Sequence, residues 1–193
     1  MLYKNRKKYA SVEDKLASIF GKISKNADFW TALSLAFAIA SAYLIIRQSF
    51  LAAAVLVAIS ALLDVVDGSV ARLYRRATSR GAYLDTISDR YAEAAVIAAF
   101  IFVPLPLVIF PPAAWIALLL FGSLMTTYTK AAAAEKNLTS PVGVLIERAE
   151  RMIMLPAGII LAYFSKTYLL YVIIILAVLT NLSALQRIRM VLK

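Results

Sequence analysis

Six apolar stretches, each close to the ~20 residues that a helix needs to cross a ~30 Å hydrocarbon core, leave this chain little room for a water-soluble domain. They run from about Phe29 to Ile46, Phe50 to Leu63, Ala82 to Val103, Ala113 to Ala134, Leu145 or Arg148 to Phe164, and Tyr168 to Leu185. The second continues as a polar helix through Asp64 and Asp67 toward Arg72. The 62% hydrophobic content stands well above the roughly 45–50% of a soluble domain. The expected fold is an all-α integral membrane protein with six transmembrane helices and an N-terminal amphipathic juxtamembrane helix. One domain over residues 1–193 is the economical reading, with 1–27 the amphipathic segment and 28–193 the six-helix bundle.

The net charge of +10 is placed unevenly. Residues 1–27 hold Lys4, Arg6, Lys7, Lys8, Lys15, Lys22 and Lys25 without a long apolar run, which excludes a cleavable signal peptide. Ile19, Phe20 and Ile23 can share one helix face, so this segment is expected along the headgroups with its lysines toward anionic lipid. With the N-terminus inside, every basic residue except Arg47 and Lys166 falls in the inner half, as the positive-inside rule requires. A multi-pass protein of the cell membrane is expected, with both termini and the functional site on the cytoplasmic side. Nucleic acid is not expected as a partner, since the charge runs directly into a membrane span with no reading module.

On that topology Asp64 and Asp67, at the inner end of the second span, meet Asp85 and Asp89, at the inner start of the third. Spacings of i, i+3 and i, i+4 put each pair on one helix face. Carboxylates at membrane depth are costly and are functional candidates by default. Four together repel unless cations neutralise them. The chain has neither cysteine nor histidine, so a zinc site of the usual kind is excluded and hard divalent cations, Mg²⁺, Mn²⁺ or Ca²⁺, suit the oxygen donors. Gly68 and Gly81 remove side chains where helices approach or a ligand comes close, Ala71 keeps the same wall low, and Arg72 and Thr78 add phosphate donors. A structural reading, with the aspartates paired to Arg72, Arg75, Arg76, Arg80 and Arg90, and a cation or proton pathway are the alternatives.

Asp64-x-x-Asp67-Gly68-x-x-Ala71-Arg72, then eight residues, then Gly81-x-x-x-Asp85-x-x-x-Asp89 resembles the signature of the CDP-alcohol phosphotransferases. The resemblance extends over nearly the whole chain and implies six membrane helices with the signature across the second and third. It implies a homodimer that transfers a phosphoalcohol from a CDP-linked lipid to a polar alcohol and releases CMP, using Mg²⁺ or Mn²⁺, two ions by analogy. Asp64, Asp67, Asp85 and Asp89 take the metal positions, with Asp89 also the base for the acceptor hydroxyl. Donor contacts carry over to Asp28, Thr31, Asp64, Asp67, Gly68, Ala71, Arg72, Thr78, Gly81 and Asp85. Asp28 stands where the family often has asparagine.

Gly143 to Arg151 resembles the Gly-x-x-x-Glu-Arg-x-Glu-Arg pattern of prokaryotic inositol-phosphate-transferring members, archaeal ones included. Lys130, Arg148 and Arg151 are therefore expected to bind the phosphate of the acceptor, with L-myo-inositol phosphate first and glycerol phosphate or serine as alternatives. Plain positive-inside charge is the other reading of these residues. Trp30, Trp115, Tyr163 and Tyr168 are read as interfacial anchors, and the alanine-rich runs as close helix packing.

Overall fold

The computed structural model describes residues 15–139 and 143–192. Lys4, Arg6, Lys7 and Lys8 of the basic leader, and Ser140-Pro141 of the expected loop, lie outside the described residues. The elements are α1 (Ala27–Ile46), α2 (Phe50–Leu73), α3 (Ser79–Ala99), a 3₁₀ turn (Phe100–Phe102), α4 (Pro112–Glu135), α5 (Arg148–Phe164) and α6 (Lys166–Val191). Residues 15–20 are also helical. Apart from one bridge between Val108 and Phe110, the described residues form no sheet.

Helices α1, α2, α4 and α6 are long and apolar enough to cross a membrane. The other two expected spans are helical but fall short of that standard. α3 carries Arg80, Asp85, Asp89, Arg90 and Glu93, and α5 has 17 residues beginning with Arg148, Glu150 and Arg151.

The chain divides into two compact units. In the first, α1 and α2 form an antiparallel pair held by small polar residues. Ser34 Oγ donates to the Ser60 carbonyl and Ser60 Oγ to the Ser34 carbonyl, both at 2.9 Å, and Ser41 Oγ donates to the Ala53 carbonyl at 2.9 Å. Such side chains let helix backbones approach closely in lipid while satisfying their hydroxyls. Toward the polar end, Leu63, Val66 and Val70 of α2 pack on Trp30 of α1 and on Ala17, with Leu16, Phe20 and Tyr74 at the edge.

Two expectations change here. Trp30 is only 3% exposed, its Nε1 donates to the Ser24 carbonyl at 3.0 Å, and Phe20 meets it edge to face. It is a core residue, because segment 15–24 folds over it. Phe20 turns inward for the same reason, while Ile19 and Ile23 stay exposed, so the three do not share a face.

Helix α2 ends without glycine. Arg75 takes the left-handed conformation (φ 52°), and the Arg76 N–H reaches the Ala71 carbonyl at 2.9 Å, satisfying carbonyls that the helix end would otherwise orphan. The chain then restarts on Thr78, whose Oγ1 accepts the Gly81 N–H at 3.0 Å as the N-cap of α3.

In the second unit α6 packs against both α4 and α5, around the fully buried Leu119, Ile159, Leu169, Leu170, Ile173 and Leu176. Asn181 Nδ2 donates to the Leu118 carbonyl at 2.9 Å. A side chain at Gly122 would fall on Thr180 and Asn181, so this glycine sets the approach of α4 to α6. Gly122→Leu is expected to destabilise the protein by about 3 kcal/mol, the upper end of overpacking costs, read as a lowered unfolding midpoint in detergent.

Candidate functional site

The first unit brings three of the four signature aspartates together. One carboxylate oxygen each from Asp64, Asp67 and Asp85 lie within 4.8 Å of one another. Asp67 is 4% exposed and the other two are half-buried. The Thr31 hydroxyl donates to Asp67 Oδ2 at 2.7 Å, which fixes the deepest carboxylate from α1. Oxygens around a single ion of 2.0–2.1 Å bond length are about 3–4 Å apart, so this donor set fits a hard divalent cation with only a small contraction.

Asp67 and Asp85 open onto a cavity of about 600 Å³. Every residue expected to touch the donor lines this cavity except Asp64, which belongs to the carboxylate group beside it. Gly68 faces Arg72 rather than another helix, since a Cβ there would stand 3.2 Å from Arg72 Nη1. Its bare α-carbon leaves the guanidinium room against the wall. A Cβ on Gly81 would meet Thr78 Oγ1 at 3.2 Å and Asp28 Oδ1 at 3.5 Å, so Asp28 of α1 reaches the start of α3. The Asp28 N–H is in turn capped by Asn26 Oδ1 at 3.1 Å. Lys25, Asn26 and Arg76 also line the cavity. They were not picked out as site residues in the sequence, where Lys25 and Arg76 merge into runs of basic charge.

Asp89 lies one turn further along α3 and outside the group of three. Arg90 Nη2 is 3.8 Å from its Oδ2, while Arg90 Nη1 donates to the buried Glu93 at 3.2 Å. One guanidinium thus bridges two carboxylates, and it restrains Asp89 separately from the cluster.

The second unit holds the expected acceptor residues, with different exposures. Lys130 is exposed and Arg148 half-buried, whereas Arg151 is 1% exposed and donates to Thr126 Oγ1 at 3.3 Å. Arg187, not singled out in the sequence, donates to the carbonyl of the same Thr126 and is 3.5 Å from Glu147. Its Nε is buried and makes no hydrogen bond among the described residues. Glu147 and Glu150 form a capping box at the start of α5, so both are committed to holding this helix end.

Clustered carboxylates beside guanidinium groups in one cavity are a set of side chains suited to phosphoesters and a hard cation. The chain belongs to the CDP-alcohol phosphatidyltransferase family, whose model matches residues 25–191. It is a transferase of phospholipid biosynthesis, which decides against the cation-pathway alternative.

A bifunctional IPC transferase and DIPP synthase of Aquifex aeolicus is 33% identical over 149 residues, 72% of this chain. The chain spans only 32% of that relative's length. An archaetidylinositol phosphate synthase of Methanothermobacter thermautotrophicus is 31% identical over 170 residues, 88% of this chain and 84% of that one. Among solved structures, the phosphatidylinositol phosphate synthase of Mycobacterium tuberculosis in complex with manganese and citrate is similar at TM-score 0.83 and 26% identity. That match covers 94% of this chain and 89% of the other. The same enzyme with CDP-DAG bound gives TM-score 0.80 at 26% identity, covering 94% of both chains.

Proposed function

We propose that this protein transfers the phosphoalcohol group of a CDP-linked diacyl or dialkyl glycerol to a hydroxyl of L-myo-inositol phosphate and releases CMP. The observation that carries this reading is the convergence of Asp64, Asp67 and Asp85 within 4.8 Å, with Asp67 and Asp85 opening onto a cavity that Arg72 also lines. Mg²⁺ or Mn²⁺ held by these aspartates, with Asp89 available to a second ion, would neutralise the diphosphate and stabilise the departing CMP.

The chain's own residues supply the rest. Arg72, beside Gly68, offers its planar fork to a phosphate. The Thr78 oxygen accepts from Gly81, and its O–H still has a hydrogen to donate. Asp28 and Thr31 hold the entrance from α1. Asp89 takes the proton of the acceptor hydroxyl as that oxygen bonds to the lipid-bearing phosphorus and the bond to the CMP oxygen breaks. The Arg90 contact supports this role by limiting where the Asp89 carboxylate can swing.

Inositol phosphate as acceptor is favoured by the relatives that carry inositol phosphate in their names and by the basic residues of the second unit. Lys130 and Arg148 are accessible to an acceptor phosphate. Buried Arg151 braces Thr126, and Arg187 joins the set as a residue with hydrogen-bonding capacity to spare. We further read all six long helices as membrane spans, with both termini and the cavity on the cytoplasmic side, in a single-domain homodimer. The positive-inside distribution supports the orientation, and the unbroken family match over residues 25–191 supports the single domain.

A panel of inositol phosphate, glycerol phosphate, inositol and serine, run with CDP-lipid and Mn²⁺, tests the acceptor. CMP release is expected with inositol phosphate well above the other three. A higher rate with glycerol phosphate or serine would overturn the assignment.

Thr31→Val keeps the side-chain shape but removes the hydroxyl from Asp67. It is expected to weaken Mn²⁺ binding by about 10–100-fold, the usual cost of losing an outer-shell partner, as titrated by electron paramagnetic resonance.

A further inference from the structure

We propose that Lys25 is a ligand of the donor's diphosphate, and that segment 15–26 sets donor affinity by being docked where it holds this lysine on the cavity wall. The proposal rests on reading the cavity as the site of the CDP-linked lipid.

An exposed lysine in a basic leader would ordinarily serve only to attract anionic headgroups. Here the chain takes Lys25 elsewhere. Lys25 and Asn26 line the same cavity as Asp67 and Asp85. The Lys25 ammonium sits 5.4 Å from the centroid of the Tyr74 ring, within the range of a cation–π contact. Tyr74 follows directly on α2, its N–H bonded to the Val70 carbonyl at 3.0 Å, and its half-buried ring packs against the cluster of Ala17, Trp30 and Val70, which restrains the platform.

The docking of the segment onto that platform is equally specific. Gly21 is buried, and any Cβ there would collide with the Tyr74 ring. Ala17 is fully buried, Ser24 accepts the Trp30 indole N–H, and Asn26 caps α1. The segment is thereby tied at several points along its length, ending at the cavity. Three clustered carboxylates repel a diphosphate, and an ammonium carried in by this wall offsets that repulsion without competing for the cation site. A lysine restrained against an aromatic face also loses less rotamer freedom on meeting a phosphate than one free in solvent.

The shared chemistry is a phosphate anion, from either the nucleotide or a bilayer headgroup. The test measures CDP and cytidine binding in the presence of Mn²⁺, with steady-state CMP release, for the full chain in nanodiscs of neutral or anionic lipid. Lys25→Ala and Tyr74→Leu should each weaken CDP binding and raise the KM for CDP-lipid about tenfold, the scale of one charge-assisted contact. kcat should stay within about twofold, cytidine binding should be unchanged, and Lys25→Arg should restore most of the loss.

The tenfold loss in neutral nanodiscs supports the nucleotide as the ligand. A loss confined to anionic nanodiscs would assign Lys25 to headgroups and overturn the proposal. So would Lys25→Ala binding CDP as tightly as wild type, or lowering kcat at constant KM. An active wild type with an indistinguishable Lys25→Ala variant sinks this proposal alone. A wild type that releases no CMP sinks the reaction reading and this proposal with it.

Discussion

Asp67→Asn is expected to lower CMP release by about a thousandfold or more. Asp67 is the most buried of the three clustered carboxylates and the one fixed from a second helix by the Thr31 hydroxyl. Neutralising it removes a charge on which cation binding depends and leaves a neutral amide wedged among the remaining donors. Charge stabilisation by a metal is worth several kcal/mol in the transition state, and each 1.36 kcal/mol is a factor of ten, which gives the scale. The measurement is kcat for CMP release at saturating CDP-lipid, alongside Mn²⁺ affinity. The two should fall together, and normal Mn²⁺ affinity in an inactive variant would remove Asp67 from the cation site.

Asp89→Asn should behave differently. Asp89 stands apart from the group of three and is restrained by Arg90. If it serves as the base, its loss should reduce kcat by about 10²–10⁴-fold, the range typical of general-base assistance. CDP-lipid should still bind appreciably, because the cluster of three carboxylates is intact. Unchanged turnover would rule out the role. A loss of donor affinity as large as that of Asp67→Asn would instead place Asp89 among the essential cation ligands.

The signature stretch was legible because its information is local. Helical spacing puts Asp64 with Asp67 and Asp85 on facing turns, and a five-residue connection, Tyr74 to Thr78, joins the helices that carry them. Helix positions were legible too, since long apolar runs in lipid have few alternatives to helix. Trp30 was misread because an aromatic at the end of a span can anchor at the interface or turn inward. The choice depends on Gly21 and Tyr74, whose contact joins residues more than fifty positions apart.

Arg187 was not singled out for a related reason. It lies among the basic residues that close the chain, where charge has a sufficient explanation in membrane orientation. Its burial, its contact with Glu147 and the Thr126 it shares with Arg151 set it apart, and all three depend on the folded arrangement. For Gly68 and Gly81, spacing could not say whether they made room for a helix or for a ligand. The Arg72 guanidinium beside Gly68, and Thr78 with Asp28 beside Gly81, favour the cavity.

On the reading proposed above, the aspartate cluster binds a divalent cation and uses it to cleave CDP-lipid. The most direct measurement is CMP formed by purified protein that has been stripped with chelator and then supplied with CDP-lipid, inositol phosphate and increasing Mn²⁺. No CMP above background is expected in the stripped protein, with a saturable return on adding Mn²⁺ or Mg²⁺ and no return in Asp67→Asn. CMP formed at the same rate with and without the metal, or none at any metal concentration, would contradict that reading.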